Sequence, residues 1–118
     1  MGELPTKIND RGAIAREIDR VYQATVLNAV ALRKYLICPR GPLELVFLGF
    51  YECFAALYTL TSPYPNIAPE NDKTAVAIRA WLDPGRVRKN DSRYALDGIR
   101  LFEEWQKILA KKDVISCR

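Results

Sequence analysis

The sequence lacks histidine altogether, although it is 118 residues long. Histidine is the residue that most often transfers protons near neutral pH, activates a serine or cysteine nucleophile and binds transition metals. Its absence excludes the commonest hydrolytic and transition-metal sites. Because no nucleophile–base pair and no set of metal ligands remains, we expect no enzymatic activity, no metal ion and no cofactor.

Cysteine and glycine are also sparse, and neither forms a motif. The three cysteines, Cys38, Cys53 and Cys117, match no zinc-binding spacing, and the glycines stand too far apart for a phosphate-binding loop. An odd number of cysteines suits a reducing compartment. Because residues 1–10 are polar and lack the apolar core of a signal peptide, we expect a cytoplasmic protein.

An uninterrupted apolar segment of membrane-spanning length is missing as well. The longest apolar run, from Leu43 to Leu60, is broken by Glu44 and Glu52, so we predict no membrane association. With 49% apolar and 27% charged residues, the composition is that of an ordinary globular domain with one hydrophobic core. We therefore treat residues 1–118 as a single domain.

What the sequence does contain is clusters of proline and glycine at three places, residues 38–42, 62–66 and 83–85. The four segments between these breaks have apolar residues at intervals of three and four, which is typical of amphipathic helices. We predict helices at about 9–37, 42–62, 69–82 and 91–112. Short connections favour antiparallel neighbours, so the predicted fold is an all-α, up-down-up-down four-helix bundle.

The second predicted helix is unusual, because apolar side chains cover roughly three-quarters of its circumference. A helix in an isolated four-helix bundle buries a narrower face, so the excess predicts contact with another chain. The latter half of the first helix is also apolar nearly all round. We predict a homo-oligomer, with a dimer favoured, or a partner protein docked on this surface. The candidate interface residues are Val26, Leu27, Val30, Phe47, Phe50, Phe54, Leu57 and Tyr58.

The third and fourth predicted helices have narrower apolar faces. In the third helix we expect four residues to be buried: Val76, Ala77, Ala80 and Trp81. In the fourth, Gly98 lies within the apolar face and predicts a close helix crossing, because glycine lets two backbones approach. Glu103 and Lys107 are spaced to form an ion pair on the solvent side of this helix.

Two polar residues lie among apolar positions and need an interpretation. Asn28 falls in line with the apolar face of the first helix, and we interpret it as a hydrogen-bonded core residue. Glu52 has two interpretations: it lies on a thin solvent-exposed strip of the second helix, or it pairs with a buried Arg or Lys of a neighbour. The solvent-exposed position is the favoured one.

Positive charge is unevenly distributed along the chain. The net charge is +4, and the predicted topology brings residues 38–42 and 84–90 to one end of the bundle. Seven basic residues fall at this end, which we call the basic pole: Arg33, Lys34, Arg40, Arg86, Arg88, Lys89 and Arg93. Several basic side chains within reach of one polyanion are what contact with a phosphate backbone requires.

The sequence therefore supports two hypotheses about function. The first is a non-enzymatic interaction module that acts by self-association or by docking a partner protein on an apolar helix face. The alternative is a nucleic-acid-associated protein that binds the phosphate backbone through the basic pole. Its candidate anion-binding residues are Arg40, Arg86, Arg88, Lys89 and Arg93.

Overall fold

The computed structural model describes residues 11–63 and 72–111. These residues form four α-helices, and no β-strand occurs among them. The helices are α1 (Arg11–Ile37), α2 (Leu43–Thr61), α3 (Lys73–Leu82) and α4 (Ser92–Lys111). One 3-10 turn, Pro84–Arg86, lies between α3 and α4. The predicted all-α four-helix bundle is confirmed.

The starts of α3 and α4 follow from aspartate capping. The Asp72 carboxylate accepts a hydrogen bond from the backbone N–H of Ala75 at 3.1 Å, and Asp91 accepts one from Tyr94 at 3.1 Å. Aspartate is among the best N-cap residues, so α3 begins at Lys73, directly after Asp72. The remaining parts of the predicted helices lie outside the described residues: 9–10, 69–71 and 112.

A tight turn at residues 38–42 joins α1 to α2. Gly41 adopts a φ of +81°, in the left-handed region that favours glycine. Its carbonyl accepts a hydrogen bond from the hydroxyl of Tyr35 at 2.5 Å, which ties the turn back to the last turns of α1. The two helices therefore form a hairpin with a hydrogen-bonded corner.

Midway along this hairpin, α1 and α2 meet at Asn28. The Asn28 side-chain amide donates to the carbonyl of Ala24 at 2.8 Å and to the sulfur of Cys53 at 3.5 Å. Its Oδ1 atom lies against Gly49, where a Cβ atom would stand only 2.6 Å away. The predicted hydrogen-bonded role of Asn28 is confirmed, and its side chain is half-buried.

The aromatic residues of α2 form the centre of the core, because they contact both α3 and α4. The ring centroid of Phe54 lies 5.9 Å from that of Trp81 and 5.5 Å from that of Phe102. Phe50 contacts the same two rings at 6.2 and 5.9 Å. α1 covers the core with one face, whose buried residues include Ile18, Val21, Thr25 and Leu32.

Contacts between α2 and α3 run in opposite directions along the two helices. The hydroxyl of Tyr51 donates to the carbonyl of Leu82 at 2.7 Å. Tyr58, about two turns later in α2, donates to the carbonyl of Ala75 at 3.5 Å. The start of α2 therefore lies beside the end of α3.

α3 and α4 approach most closely at Gly98, where a Cβ atom would stand 2.7 Å from Cη2 of Trp81. The indole Nε1 of Trp81 donates to the carbonyl of Tyr94 at 2.9 Å, and the Tyr94 hydroxyl donates to the carbonyl of Trp81. The two rings stack with centroids 4.9 Å apart and planes 22° apart. The close crossing predicted at Gly98 is confirmed, and we call the reciprocal contact the Trp81–Tyr94 clamp.

The buried face of α3 differs from the predicted one. The buried residues are Ala75, Ile78 and Trp81, whereas Val76, Ala77 and Ala80 are exposed. The prediction was wrong for the last three residues because Ile78 and Trp81, which are both large and apolar, set the rotation of the helix. Alanine has too little apolar area to compete with them.

Candidate functional site

Five predicted interface residues of α2 lie in the core of the single chain: Phe47, Phe50, Phe54, Leu57 and Tyr58. The first four are fully buried, and Tyr58 is 7% exposed. They cannot form an exposed docking surface, so the expectation for these five is corrected. The physical reason is that α2 is central, and aromatic rings of α3 and α4 cover the side that the sequence assigned to another chain.

The predicted interface residues of α1 remain at the surface. Leu27 is 70% exposed, Val30 is 48% exposed and Val26 is half-buried. α2 adds Leu45, which is 69% exposed and was not among the predicted residues. Its position in the sequence carries the signal, because Leu45 lies two residues before buried Phe47 and hence about 200° round the helix.

We call the outer surface of the α1–α2 hairpin the hairpin face. Its exposed residues recur at helical spacing on the two helices: Leu27, Ala31, Leu45, Glu52 and Ala56. The contact between Asn28 and Cys53, which adjoin Leu27 and Glu52 in sequence, joins the two halves of this surface. Glu52 is exposed, which agrees with the solvent-facing interpretation and not with a buried ion pair.

Exposed charges on the two helices of the hairpin have opposite net sign. α1 exposes Arg16, Arg20 and Lys34, and Arg20 forms an ion pair of 2.6 Å with Glu17 on the same helix. The hydrogen bond from Arg20 lowers the pKa of the Glu17 carboxyl. α2 contains no basic residue, and its charges are the carboxylates of Glu44 and Glu52.

The basic pole is exposed at one end of the molecule. The ring of Phe47, near the start of α2, lies 5.8 Å from that of Tyr94, near the start of α4, so the 38–42 turn lies close to the loop 83–91. Every predicted member of the pole is exposed: Arg33, Lys34, Arg40, Arg86, Arg88, Lys89 and Arg93.

The carboxylates of the loop 83–91 accept hydrogen bonds from backbone N–H groups of the loop and of the first turn of α4. Asp83 accepts a hydrogen bond from the N–H of Gly85 at 2.9 Å, and Asp91 caps α4. Arg88 lies 4.0 Å from Asp91, with both side chains exposed to solvent. The loop is therefore held in place by its acidic residues, while its basic side chains point outward.

Arg33 differs from the rest of the basic pole because its ion pair joins two helices, with Glu103 of α4 as the partner. This pair replaces the predicted pairing of Glu103 with Lys107, and Lys107 lies 3.5 Å from Glu104 instead. The prediction was wrong because α1 crosses α4 at this point and brings the guanidinium of Arg33 to Glu103. We exclude Arg33 from the anion-binding residues on this ground.

Tyr94 is the described group whose pKa is raised most clearly. Burial raises the pKa of Tyr94 to about 12, and the charge of Asp83 and that of Tyr51 when it ionises at alkaline pH act in the same direction. Arg86 and Arg88 lower it, which places both guanidinium groups near the Trp81–Tyr94 clamp. Burial also raises the pKa of Tyr51. Both phenols are therefore hydrogen-bond donors at neutral pH.

A groove of about 840 Å³ runs between α3 and α4. Its apolar floor includes Ala77, Ala80 and Leu101, and Trp81 forms part of its wall. Charged residues of both signs line it: Arg86, Arg88 and Arg100 are basic, and Asp97, Glu103 and Glu104 are acidic. We call this feature the α3–α4 groove. Sequence analysis missed it because the groove depends on the rotation of α3.

The described thiol with a shifted pKa is Cys53, and its pKa is raised. Cys38 is exposed and Cys53 is half-buried, and both are free, while Cys117 lies outside the described residues. Burial raises the pKa of the Cys53 thiol, and the charge of Glu52 adds to this effect. A nucleophilic cysteine needs a lowered pKa, so Cys53 is better suited to packing than to chemistry.

Metal binding and membrane insertion can be considered from the described residues. No group of three or more acidic, cysteine or histidine side chains is placed there to hold a metal ion. α2 is long and apolar enough to cross a membrane by length and composition alone. The core helix of a soluble protein meets the same criterion, and α2 supplies the centre of this core.

No family model, no curated protein and no solved structure matches this chain. The fold defines its class as an all-α four-helix bundle. Function must therefore be inferred from the hairpin face, the basic pole and the α3–α4 groove.

Proposed function

We propose that this protein is a non-enzymatic module that associates with a second copy of itself through the hairpin face. The observation that supports this is the 70% exposure of Leu27 and the 69% exposure of Leu45 on neighbouring helices of one surface. Burying one leucine contributes about 1.5–3 kcal/mol. Two leucines with small alanine side chains around them favour close packing of a partner surface.

Charge favours a second copy as that partner. In an isologous dimer the same surface is used twice, and a two-fold axis parallel to the helices packs α1 of one copy against α2 of the other. Exposed α1 carries Arg16, Arg20 and Lys34, whereas α2 carries only Glu44 and Glu52. Opposite charges therefore meet on both sides of the two-fold axis, which gives orientation and specificity more than affinity.

The size of the hairpin face predicts a weak dimer. α2 has 19 residues and is thus about 28 Å long. Two helices side by side are about 20 Å wide, which gives roughly 560 Å² per copy and ~1,100 Å² in total. Stable interfaces bury about 1,200–2,000 Å². We expect a reversible dimer with a dissociation constant in the micromolar range.

Sedimentation velocity over a wide concentration range tests this proposal. We expect a monomer–dimer equilibrium that Leu27→Glu and Leu45→Glu each weaken by about tenfold or more, because each variant buries a charge in an apolar contact. Val76→Glu is the matched control, since Val76 is 46% exposed but lies on α3. A wild-type chain that stays monomeric, or an equal loss in all three variants, would contradict the proposal.

A second candidate function is polyanion binding by the basic pole. It is favoured by the exposure of Arg40, Arg86, Arg88, Lys89 and Arg93 around a loop whose carboxylates are engaged with backbone N–H groups. Such a site would recognise the phosphate backbone and not the base sequence. Binding should weaken steeply as salt concentration rises.

Fluorescence anisotropy with labelled duplex RNA and duplex DNA measures this activity. We expect Arg86→Glu, Arg88→Glu and Lys89→Glu, combined in one chain, to abolish binding without unfolding the bundle. The control reverses three exposed basic residues outside both the basic pole and the hairpin face: Lys73, Lys107 and Lys111. Equal losses in the two triple variants would mean that only net charge matters, and the basic pole would no longer be a site.

A further inference from the structure

We propose that the dimer formed through the hairpin face joins the basic poles of its two copies into one binding site for the phosphate backbone of a nucleic-acid duplex. The inference rests on the proposed self-association and on polyanion binding by the basic pole, and it adds that each strengthens the other. Two features carry it: the opposite charges of α1 and α2, and the position of the hairpin corner within the basic pole.

The charges of the hairpin favour one of two symmetric arrangements. A two-fold axis perpendicular to the helices stacks each helix on its own copy, so that Arg20 and Lys34 of one α1 face the basic residues of the other. An axis parallel to the helices stacks α1 on α2 instead, and α2 carries the carboxylates of Glu44 and Glu52. The exposed carboxylate of α1, Glu17, is already paired with Arg20. Because like charges that face each other disfavour an arrangement, the parallel axis is favoured.

A two-fold axis parallel to the helices keeps corresponding ends of the two copies at the same end of the dimer. The corner of the hairpin, residues 38–42, lies at one end of the hairpin face and contains Arg40. The loop 83–91 lies beside it, because the rings of Phe47 and Tyr94 are 5.8 Å apart. The two basic poles therefore lie side by side, whereas a perpendicular axis would place them at opposite ends.

The end of the molecule that holds the basic pole is positive even when its carboxylates are counted. Arg33 is set aside, because its charge is paired with that of Glu103. Six basic residues of the pole remain, against three acidic residues at the same end: Glu44, Asp83 and Asp91. The balance is +3 for one copy and +6 for the dimer, and further along α4 the charges of Asp97 and Arg100 offset each other.

This charge couples dimerisation to duplex binding. The two poles repel each other in the free dimer, and the phosphates of a duplex that lies across both poles remove the repulsion. A ligand that binds the dimer better than the monomer stabilises the dimer, and by linkage dimerisation raises the affinity for the ligand by the same factor. The joint site is incomplete without the second copy.

A duplex suits the two poles in chemistry and in spacing. Tyr35 and Tyr94 adjoin basic residues in the sequence, but they are half-buried and donate to backbone carbonyls, so the pole offers charge and not base stacking. α3 and α4 pack on the side of the hairpin opposite to the hairpin face. Packed helices lie about 8–10 Å apart, so the loops 83–91 of the two copies are roughly 24–30 Å apart. One turn of a duplex is similar, at about 34 Å.

Duplex DNA of two lengths tests the inference by fluorescence anisotropy at increasing protein concentration. The long probe, of about 12 base pairs, is roughly 40 Å long and spans both poles. The short probe, a hairpin with a stem of about six base pairs, is roughly 20 Å long and reaches only one. Leu27→Glu weakens the dimer, and Val76→Glu is the matched control because it adds the same charge at an exposed position of α3.

On the long probe we expect Val76→Glu to bind cooperatively, with two chains per duplex, and at least tenfold more tightly than Leu27→Glu. On the short probe the two variants should bind with equal affinity, because one pole suffices. The long probe should also lower, by at least tenfold, the protein concentration at which half of the wild-type chain is dimeric in sedimentation velocity. Duplex RNA of the same lengths, measured in parallel, shows which nucleic acid supplies the backbone.

Equal and non-cooperative binding of the two variants to the long probe would overturn the inference while leaving both proposed functions in place. Failure of the proposed functions has a different signature: the wild-type chain stays monomeric without a probe, or the short probe does not bind. Either of these results also excludes the joint site, because that site needs both the dimer and the basic pole.

Discussion

At the scale of single residues, polar groups in this protein are placed where they terminate or join helices. The tyrosine hydroxyls of Tyr51 and Tyr94 donate to the last carbonyls of α3, at Leu82 and Trp81. Carbonyls at a helix end lack intrahelical partners, so these two phenols act as caps from neighbouring helices. The sequence could predict a close approach at Gly98 but not these partners, which come from distant residues and depend on the tertiary arrangement.

The raised pKa of Tyr94 predicts how stability depends on alkaline pH. The phenol has an ordinary pKa of 10.0 and a folded-state pKa of about 12. A group whose pKa is raised on folding contributes stability below its unfolded pKa and loses that contribution as pH rises towards the folded pKa. We therefore expect the free energy of unfolding to fall between about pH 10 and pH 12.

Urea denaturation at a series of alkaline pH values measures this dependence. Tyr94→Phe should be less stable at neutral pH, because the bond to Trp81 is lost, but its stability should decline less steeply above about pH 10. The Tyr94→Phe variant should keep part of the pH dependence of stability, because the pKa of Tyr51 is also raised. Identical slopes in the wild type and in Tyr94→Phe would show that this phenol does not govern the transition.

At the scale of helices, periodicity predicted most of the fold but failed for α3. The buried face of α1 and the glycine of α4 followed from spacing because large apolar residues recur over many turns. α3 has only 10 residues, and alanines occupy both of its sides, so spacing alone did not fix its rotation. The groove beside Ala77 and Ala80 could therefore not be predicted from the sequence.

The short length of α3 makes its cap important. Asp72→Ala removes the side-chain acceptor for the N–H of Ala75, and we expect the free energy of unfolding to fall by about 1 kcal/mol. Asp72→Asn is the matched control, because asparagine caps a helix about as well as aspartate and should keep most of this stability. Urea denaturation measures both variants. An equal loss in the two would mean that charge, and not capping, is responsible.

At the scale of the whole molecule, the position of α2 decides which apolar residues are available for contact with other proteins. From sequence, its wide apolar circumference predicted an interface made of Phe47, Phe50 and Phe54. In the fold these rings are buried by α3 and α4, and the exposed leucine of α2 is Leu45. The number of helices that surround a given helix is a property of the tertiary arrangement, which periodicity in one segment cannot supply.

A comparison of Phe54 with Leu45 tests this assignment. Phe54→Ala creates a cavity between Trp81 and Phe102 and should lower the free energy of unfolding by about 3–5 kcal/mol. Leu45→Ala should change it by less than about 0.5 kcal/mol at concentrations where the chain is monomeric. Circular dichroism followed through urea denaturation measures both values. A small effect of Phe54→Ala on the free energy of unfolding would mean that the ring of Phe54 is not buried in the core.

The Trp81–Tyr94 clamp also makes Trp81 an intrinsic fluorescence probe. The chain has two tryptophans: Trp81 lines the α3–α4 groove, whereas Trp105 is fully buried and donates to the hydroxyl of Thr61 at 3.0 Å. Replacing Trp105 by phenylalanine leaves one indole as the emitter, stacked on the ring of Tyr94. The wavelength and intensity of its emission then report on the packing between α3 and α4 without any attached dye.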